Sequence, residues 1–357
     1  RNNLWESLAN TSREPVDRLM KSWVTQSGFP LIFLKRYRRN GKNYIKLRQK
    51  RFFSDRGEIE TDNSQIWIIP MVLRFGTKSG THTARILMDR DEQELELPTS
   101  EPITWVYPNG NSTGFYRMHF DAPSLKALLK KGLPHLTPAA RTSIIHDQWA
   151  LVKSGMATIQ DFMEVLTAFQ NDHDHMVVRA VVERLHYLSN HLVTDSCRPH
   201  LQRFTSWLLQ EQFDKLTWNA KKNEAPEAAV RRAAIIGALG EIAEDSDILE
   251  SATKLARKER SNPASVEPNL AGVAIRLAAK RGSSRFLKEA TGTYLKRQKN
   301  GTSPELQQRY LMALSAVEKP AQIRKVLSYC LDGTVPQDQL RSILIPMLSP
   351  RQSQLIT

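Results

Sequence analysis

The spacing of apolar residues changes once along this chain, near residue 121, and that change constrains the fold more than any other feature. From Pro30 to Phe120 apolar residues tend to recur at every second position, the period of a strand with one buried face. Strand candidates are the run from Phe29 to Leu34 and its charged continuation, then Gln65–Phe75, Thr83–Asp89, Glu92–Leu97, Ile103–Tyr107 and Phe115–Phe120. Asn40-Gly41 separates two strand-like runs and supplies the positive φ angles of a type I′ hairpin turn. Further turns are expected at Gly57, Gly76-Thr77, Gly80 and Asn109-Gly110. Six or seven short strands with such turns predict a small antiparallel β-sandwich. Before it, Leu4, Leu8, Val16, Leu19, Met20 and Trp23 are spaced for helix, with Ser12 as the N-cap of a second helix and Gly28 as its stop.

After Asp121 the strand signals cease. Residues 122–357 read as about a dozen helices joined by short polar links. Thr137-Pro138 and Ser303-Pro304 pair an N-cap residue with Pro at the first helical position. Val178, Val181, Val182, Leu185, Leu188 and Leu192 line one helical face, and Val230, Ala234, Ala238, Leu239 and Ile242 another. No fixed repeat period is present, but the rhythm of paired helices resembles an α-solenoid of the HEAT/armadillo kind. The fold class is therefore multidomain, β then α. The expected parts are a helical segment over 1–28, a β-sandwich over 29–121 and a helical-repeat domain over 122–357.

Length and composition limit the function. At 357 residues the chain is long enough for two or three domains, and 40% apolar content excludes disorder throughout. The longest apolar run, Ile66–Leu73, is far short of a membrane span of ~18 residues. The opening RNNLWESLAN has neither a signal-peptide layout nor an initiator Met, so a fragment is expected. Two cysteines, Cys197 and Cys330, exclude a disulfide framework and a four-cysteine zinc site. Sequons at Asn10, Asn111 and Asn300 carry little weight without a secretory signal. No pattern fixes a compartment, and the cytoplasm is only slightly favoured. The net charge of +14 points first to nucleic acid, but it is spread: residues 1–121 hold +5 and residues 122–357 hold +9. One dense stretch, Lys35 to Arg56, has ten basic residues and one acidic residue.

A search for reactive constellations finds none. No histidine begins an H-E-x-x-H motif, and there is no nucleophile elbow, phosphate loop or dinucleotide fingerprint. His173-Asp174-His175 lacks the spacing of three or four that puts two rings on one helical face, and reads as solvated residues at a helix start. His186 with Asn190, and Glu183 with Tyr187, read as helix-surface pairs. The carboxylates of Asp89–Glu101 read as a solvated sheet face. In the basic ribbon, Tyr37, Tyr44, Phe52 and Phe53 could stack on bases. Alternation instead favours one wet face of Tyr44, Lys46, Arg48, Lys50 and Phe52 against a core face of Ile45, Leu47 and Gln49. Trp149, Trp207 and Trp218 sit at helical spacing and read as core.

Several motifs together point to a family. The stretch Leu4-Trp5-Glu6-Ser7-Leu8, Pro15-Val16 and Met20 through Trp23 and Gly28-Phe29-Pro30 resembles a junction in zinc aminopeptidases. These are the enzymes of the aminopeptidase-N, puromycin-sensitive and endoplasmic-reticulum aminopeptidase type. Leu47–Phe52, Trp67–Pro70, Pro108-Asn109, Gly114-Phe115-Tyr116-Arg117 and Asp121 resemble that family's sandwich in order. Leu136-Thr137-Pro138, Arg141, Asp147 and Trp149-Ala150-Leu151 resemble the opening of its C-terminal helical domain, and Val326-Leu327, Gly333 and Gln337-Asp338 a late helix. Trp23, Gly28, Phe29, Pro30, Gly114, Phe115, Tyr116 and Arg117 are the specific positions, read as structural: Gly28 ends a helix, Pro30 blocks its continuation, Gly114 allows a close approach, Tyr116 buries its ring with a bonded hydroxyl, and Arg117 pins a neighbouring loop.

The resemblance implies a parent enzyme whose zinc-bound water, with a glutamate base, attacks the N-terminal peptide bond. The zinc ligands, the amine-holding G-x-M-E-N loop and the catalytic tyrosine of that family have no counterpart here. This chain is therefore expected to contain no catalytic residue, metal ligand or cofactor, with zinc confined to the parent. Residues 1–28 would end the preceding catalytic domain. The family's helical domain usually runs several helices past the Gln337-Asp338 match, so 122–357 is expected to be truncated. The implied role is to shape the substrate chamber, with peptides and the parent's other domains as partners. The rival readings are a non-enzymatic scaffold for protein or peptide, and a nucleic-acid-binding module.

Overall fold

The computed structural model describes residues 2–54, 65–301 and 303–348, so the turn expected at Gly57 lies outside the described residues. Two short helices come first, α1 (Asn2–Ser12) and α2 (Val16–Val24). Ser12 does not cap α2. It ends α1, its hydroxyl bonding back to Leu8 O at 2.7 Å, and Pro15 takes the N-cap position. A serine before a proline-containing link can satisfy its hydroxyl backwards as readily as forwards. Past α2, three side-chain bonds tie the helix to one extended segment: Trp23 Nε1 donates to Ile68 O, Ser22 Oγ accepts from Ile68 N, and Gln26 Nε2 donates to Ile66 O.

Seven strands follow: β1 (Pro30–Arg39), β2 (Lys42–Arg51), β3 (Ile69–Gly76), β4 (Thr81–Met88), β5 (Glu92–Glu96), β6 (Trp105–Tyr107) and β7 (Arg117–Phe120). They form a four-stranded sheet ordered β5-β2-β1-β7 and a three-stranded sheet ordered β4-β3-β6. The β1–β2 hairpin turns through Asn40 at φ 51° and Gly41 at φ 77°, as the dipeptide requires. Leu31, Ile32, Leu34, Ile45 and Leu47 of one sheet and Met71, Leu73, Phe75 and Val106 of the other are buried. One pairing differs from the all-antiparallel expectation: β7 lies parallel to β1, with Leu31 opposite Arg117. Three strands, β3, β6 and β7, also start later than their apolar runs. Trp67 N–H donates to Gln49 Oε1 and its carbonyl accepts from Gln49 Nε2, both at 2.9 Å, and Ile68 bonds α2. Those backbone groups have side-chain partners, so the ladder begins only at Ile69. Asn109 occupies both backbone groups of Gly114 in the same way before β7.

Helices fill the rest: α3 (Ala122–Ala127), α4 (Pro138–Lys153), α5 (Ile159–Thr167), α6 (His175–Tyr187), α7 (Arg198–Leu216), α8 (Pro226–Glu241), α9 (Ser246–Ser261), α10 (Pro268–Arg281), α11 (Ser284–Lys299), α12 (Pro304–Leu314), α13 (Pro320–Leu331) and α14 (Leu340–Met347). Two compact units divide after Phe169. The change from strand to helix and the division between units therefore fall at different places, because α4 bonds β7 and stays with the sheets.

In the second unit α8 is buried on nearly every side from Arg232 to Gly240, while Val230 is exposed. The expected one-faced stripe fails there because α6, α7, α9 and α10 all pack on α8. Leu192 is exposed because α6 passes into a π-helical turn, Leu188–Leu192, that rotates it off the stripe. Glu259 of α9 is fully buried. It accepts from Tyr310 Oη at 2.5 Å and pairs with Arg297 at 3.2 Å and Arg309 at 3.6 Å, joining α9, α11 and α12.

Candidate functional site

The first unit gathers the motif residues around one aromatic cluster. Trp23 lies 6.2 Å from both Trp67 and Phe115, and Phe29 lies 5.2 Å from Phe115 and 5.5 Å from Phe52. Gly28 does not stop α2 as expected, because the helix already ends at Val24 with Thr25 as its C-cap; at φ 86° it turns the chain that follows into Pro30, and a Cβ there would stand 2.7 Å from Arg51 Nε. Gly114 is held by Asn109, and a Cβ on it would fall 2.1 Å from the Tyr116 ring. Tyr116 is buried and donates to Pro108 O at 2.7 Å, and burial raises its phenol above the ordinary range. Phe115 remains 69% exposed and, with Leu19, Trp23 and Met71, lines an apolar groove of about 640 Å³.

Arg117 reaches a helix, whereas a neighbouring loop was expected. Its Nη1 donates to Asp147 Oδ1 of α4 at 3.0 Å, and its guanidinium lies over Phe52 at 5.3 Å and Phe29 at 5.8 Å. Asp147 Oδ2 accepts the Met118 amide at 3.1 Å, so one buried carboxylate joins α4 to β7 through two donors. Burial pushes the Asp147 carboxyl up to about 7, while Arg117 and the Met118 amide pull it down.

The basic ribbon is matched across its sheet. Arg39 pairs with Glu94, Lys42 with Glu96 and Lys46 with Glu92, so β5 sets a row of carboxylates beside β2. Ile45, Leu47 and Gln49 face inward; Phe52, placed on the wet face by alternation, is buried because the strand ends at Arg51. Asp174 caps α6 by accepting from Met176 N and Val177 N, so it holds a helix start between His173 and His175. No group of three His, Cys, Asp or Glu side chains able to hold a metal occurs among the described residues. The described residues therefore offer no ligand set for a zinc ion. Trp149 is buried, but Trp207 is 51% exposed on α7, against the expectation of core.

In the second unit His186 and Asn190 are not a plain surface pair. With Ser189 of the π-turn, Glu241, Arg276 and Lys280 they line a cavity of about 320 Å³. Burial lowers the His186 pKa, although Glu241 lies 3.5 Å from Nε2. A larger cleft of about 750 Å³ opens along α9, α10 and α11 and is lined by Lys254, Arg257, Arg260, Arg281, Arg285 and Lys319. Residues 251–300 hold twelve basic and three acidic side chains, a second charged segment that the half-chain totals concealed. A charge count in a fifty-residue window would have found it.

Comparison with known proteins agrees with this architecture. Residues 105–357 match the family described as ERAP1-like C-terminal domain. The chain is 30% identical over 182 residues to puromycin-sensitive aminopeptidase of Caenorhabditis elegans, covering 51% of this chain and 19% of that protein. It is 22% identical to aminopeptidase 2 of Candida albicans over 99% of this chain and 37% of that protein. It is 24% identical to aminopeptidase M1 of Arabidopsis thaliana over 93% and 39% respectively. The chain thus spans less than two fifths of the length of these relatives. With the family match covering well over half of its residues, this chain belongs to the ERAP1-like C-terminal domain family, the carboxy-terminal region of the M1 aminopeptidases.

Proposed function

We propose that this chain is the non-catalytic carboxy-terminal segment of a zinc aminopeptidase and helps to shape the chamber in which peptides lose their N-terminal residues. The observation that carries the reading is alignment of 99% of the chain with 37% of a protein named as an aminopeptidase. On this reading zinc and the cleaving groups belong to a preceding catalytic domain. Residues 1–28 form the end of that domain, and the exposed Leu4, Leu8 and Val24 of α1 and α2 are part of its packing surface. The basic lining of the second unit supports a wall that attracts the anionic end of a peptide.

The test compares residues 1–357 with the full-length polypeptide on an aminoacyl fluorogenic substrate. Chelator-sensitive turnover is expected from the full-length protein and none from residues 1–357. Turnover by residues 1–357 alone would overturn the non-catalytic assignment. Deleting residues 170–357 from the full-length protein should lower kcat/KM for a long peptide more than for the aminoacyl substrate. An equal loss on both would remove the chamber role.

A further inference from the structure

The cleft along α9, α10 and α11 has more positive charge than its own carboxylates can match. Six cations line it against two acids, Glu250 and Glu289. Both acids are already engaged. Glu289 receives Arg260 and, at 3.0 Å, Arg285; Glu250 receives Lys254 at 2.7 Å. The two arginines hold the Glu289 carboxyl below the usual range. Lys319 bonds the Gly282 carbonyl at 2.6 Å. Arg257 and Arg281 make no ion pair among the described residues, although Arg281 is near enough to help lower Glu250.

One further feature favours an anion. Ser283, the N-cap of the 16-residue α11, lines the same cleft, where that helix end adds partial positive charge; Gly282 beside it ends α10, and its carbonyl is covered by Lys319. Among the described residues that line it, only Phe286 and Ala278 have apolar side chains, and the rest are charged, carry a hydroxyl or, at Gly282, have no side chain. A cleft of about 750 Å³ suits a small molecule. A single carboxylate would leave most of the surplus charge unmatched, whereas guanidinium groups bind phosphate oxygens through paired hydrogen bonds.

We propose that this cleft binds a small anion bearing several linked phosphate groups. The cleft is the same basic lining named above for the chamber wall, but the proposal does not rest on that role and needs no peptidase activity to be tested. Residues 1–357 are titrated by calorimetry with inorganic tripolyphosphate and with orthophosphate at near-physiological ionic strength. Tripolyphosphate is expected to bind at one site, and orthophosphate at least about a hundredfold more weakly, because several charge-assisted bonds act together. The variant Arg257→Gln/Arg281→Gln should lose about tenfold or more in affinity while melting at the wild-type temperature without ligand. Hydrogen exchange on the wild type supplies a second readout, with tripolyphosphate protection expected in α9–α11. No binding, equal affinity for orthophosphate, unchanged affinity in the variant, or protection confined elsewhere would overturn the proposal. So would a short single-stranded RNA that binds more tightly than tripolyphosphate through the same two arginines.

Discussion

Gly114 and Tyr116 show how much a single position can determine. A methyl group on Gly114 would overlap the Tyr116 ring, and the ring has no room to yield because its hydroxyl is fixed on Pro108 O and its face is buried. Gly114→Ala should therefore destabilise the first unit by about 1–3 kcal/mol, the usual range for overpacking. Tyr116→Phe, which removes only the bond to Pro108, should cost about 1 kcal/mol. Urea unfolding of both variants checks the order; an alanine variant as stable as wild type would refute the clash. Asp147 makes a different prediction. Its folded-state pKa, near 7, lies above the ordinary 3.8. A carboxyl raised in this way contributes stability that is fully present below 3.8 and is lost as pH rises through about 7. Across that window wild type should lose melting temperature relative to Asp147→Asn, and parallel curves for the two would show that the carboxyl does not titrate there. The tight approach at Gly114 and the buried ring of Tyr116 were legible from residue type. The partner of Arg117 was not, because Asp147 is 30 residues away and on a helix.

At the level of elements, the sequence revealed what local geometry dictates and missed what side chains from elsewhere decide. Asn40-Gly41 fixes its hairpin because both residues accept positive φ. The start of β3 could not be read, because Gln49, buried in another strand, occupies the backbone of Trp67. The same non-local logic governs the basic ribbon. Its charge alone suggests nucleic acid, alternation already favours an ordinary hairpin with one wet face, and β5 sets Glu92, Glu94 and Glu96 beside it. Exposed pairs of this kind add little to stability but set the local field. Glu92→Gln/Glu94→Gln/Glu96→Gln should therefore leave the melting temperature nearly unchanged and delay elution from a heparin column. The delay should shrink as salt rises. Unchanged retention would mean that β5 does not screen β2. The basic segment in α9–α11 escaped notice for a related reason: the acidic stretch just before it, Glu241 to Glu250, diluted it in any long count, though the residues themselves were plain.

The whole molecule tests whether its two compact units are also energetic units. The switch of period near residue 121 was easy to read, since secondary structure follows local spacing. The division after Phe169 was not, because it depends on Asp147 and the Met118 amide holding α4 to β7. If the contacts within each unit govern its unfolding, damage in one should leave the other intact. Gly114→Ala acts within residues 1–169. The buried network around Glu259 acts within residues 170–357, where Glu259→Gln would leave Arg297 and Arg309 facing a neutral amide. Arg309 keeps Glu305 at 2.6 Å and Arg297 keeps the Leu306 carbonyl at 3.1 Å, so the cost should fall at the low end for a broken buried pair, about 3 kcal/mol. Tryptophan placement lets the two losses be told apart. Trp5, Trp23, Trp67, Trp105 and Trp149 lie in the first unit, and only Trp207 and Trp218 in the second. In a Trp207→Phe/Trp218→Phe background all emission reports on residues 1–169. There Gly114→Ala should lower the fluorescence midpoint, and Glu259→Gln should leave it in place while lowering the helical circular-dichroism midpoint. Equal shifts of both signals by both variants would show one cooperative unit, and the boundary after Phe169 would then carry no thermodynamic meaning.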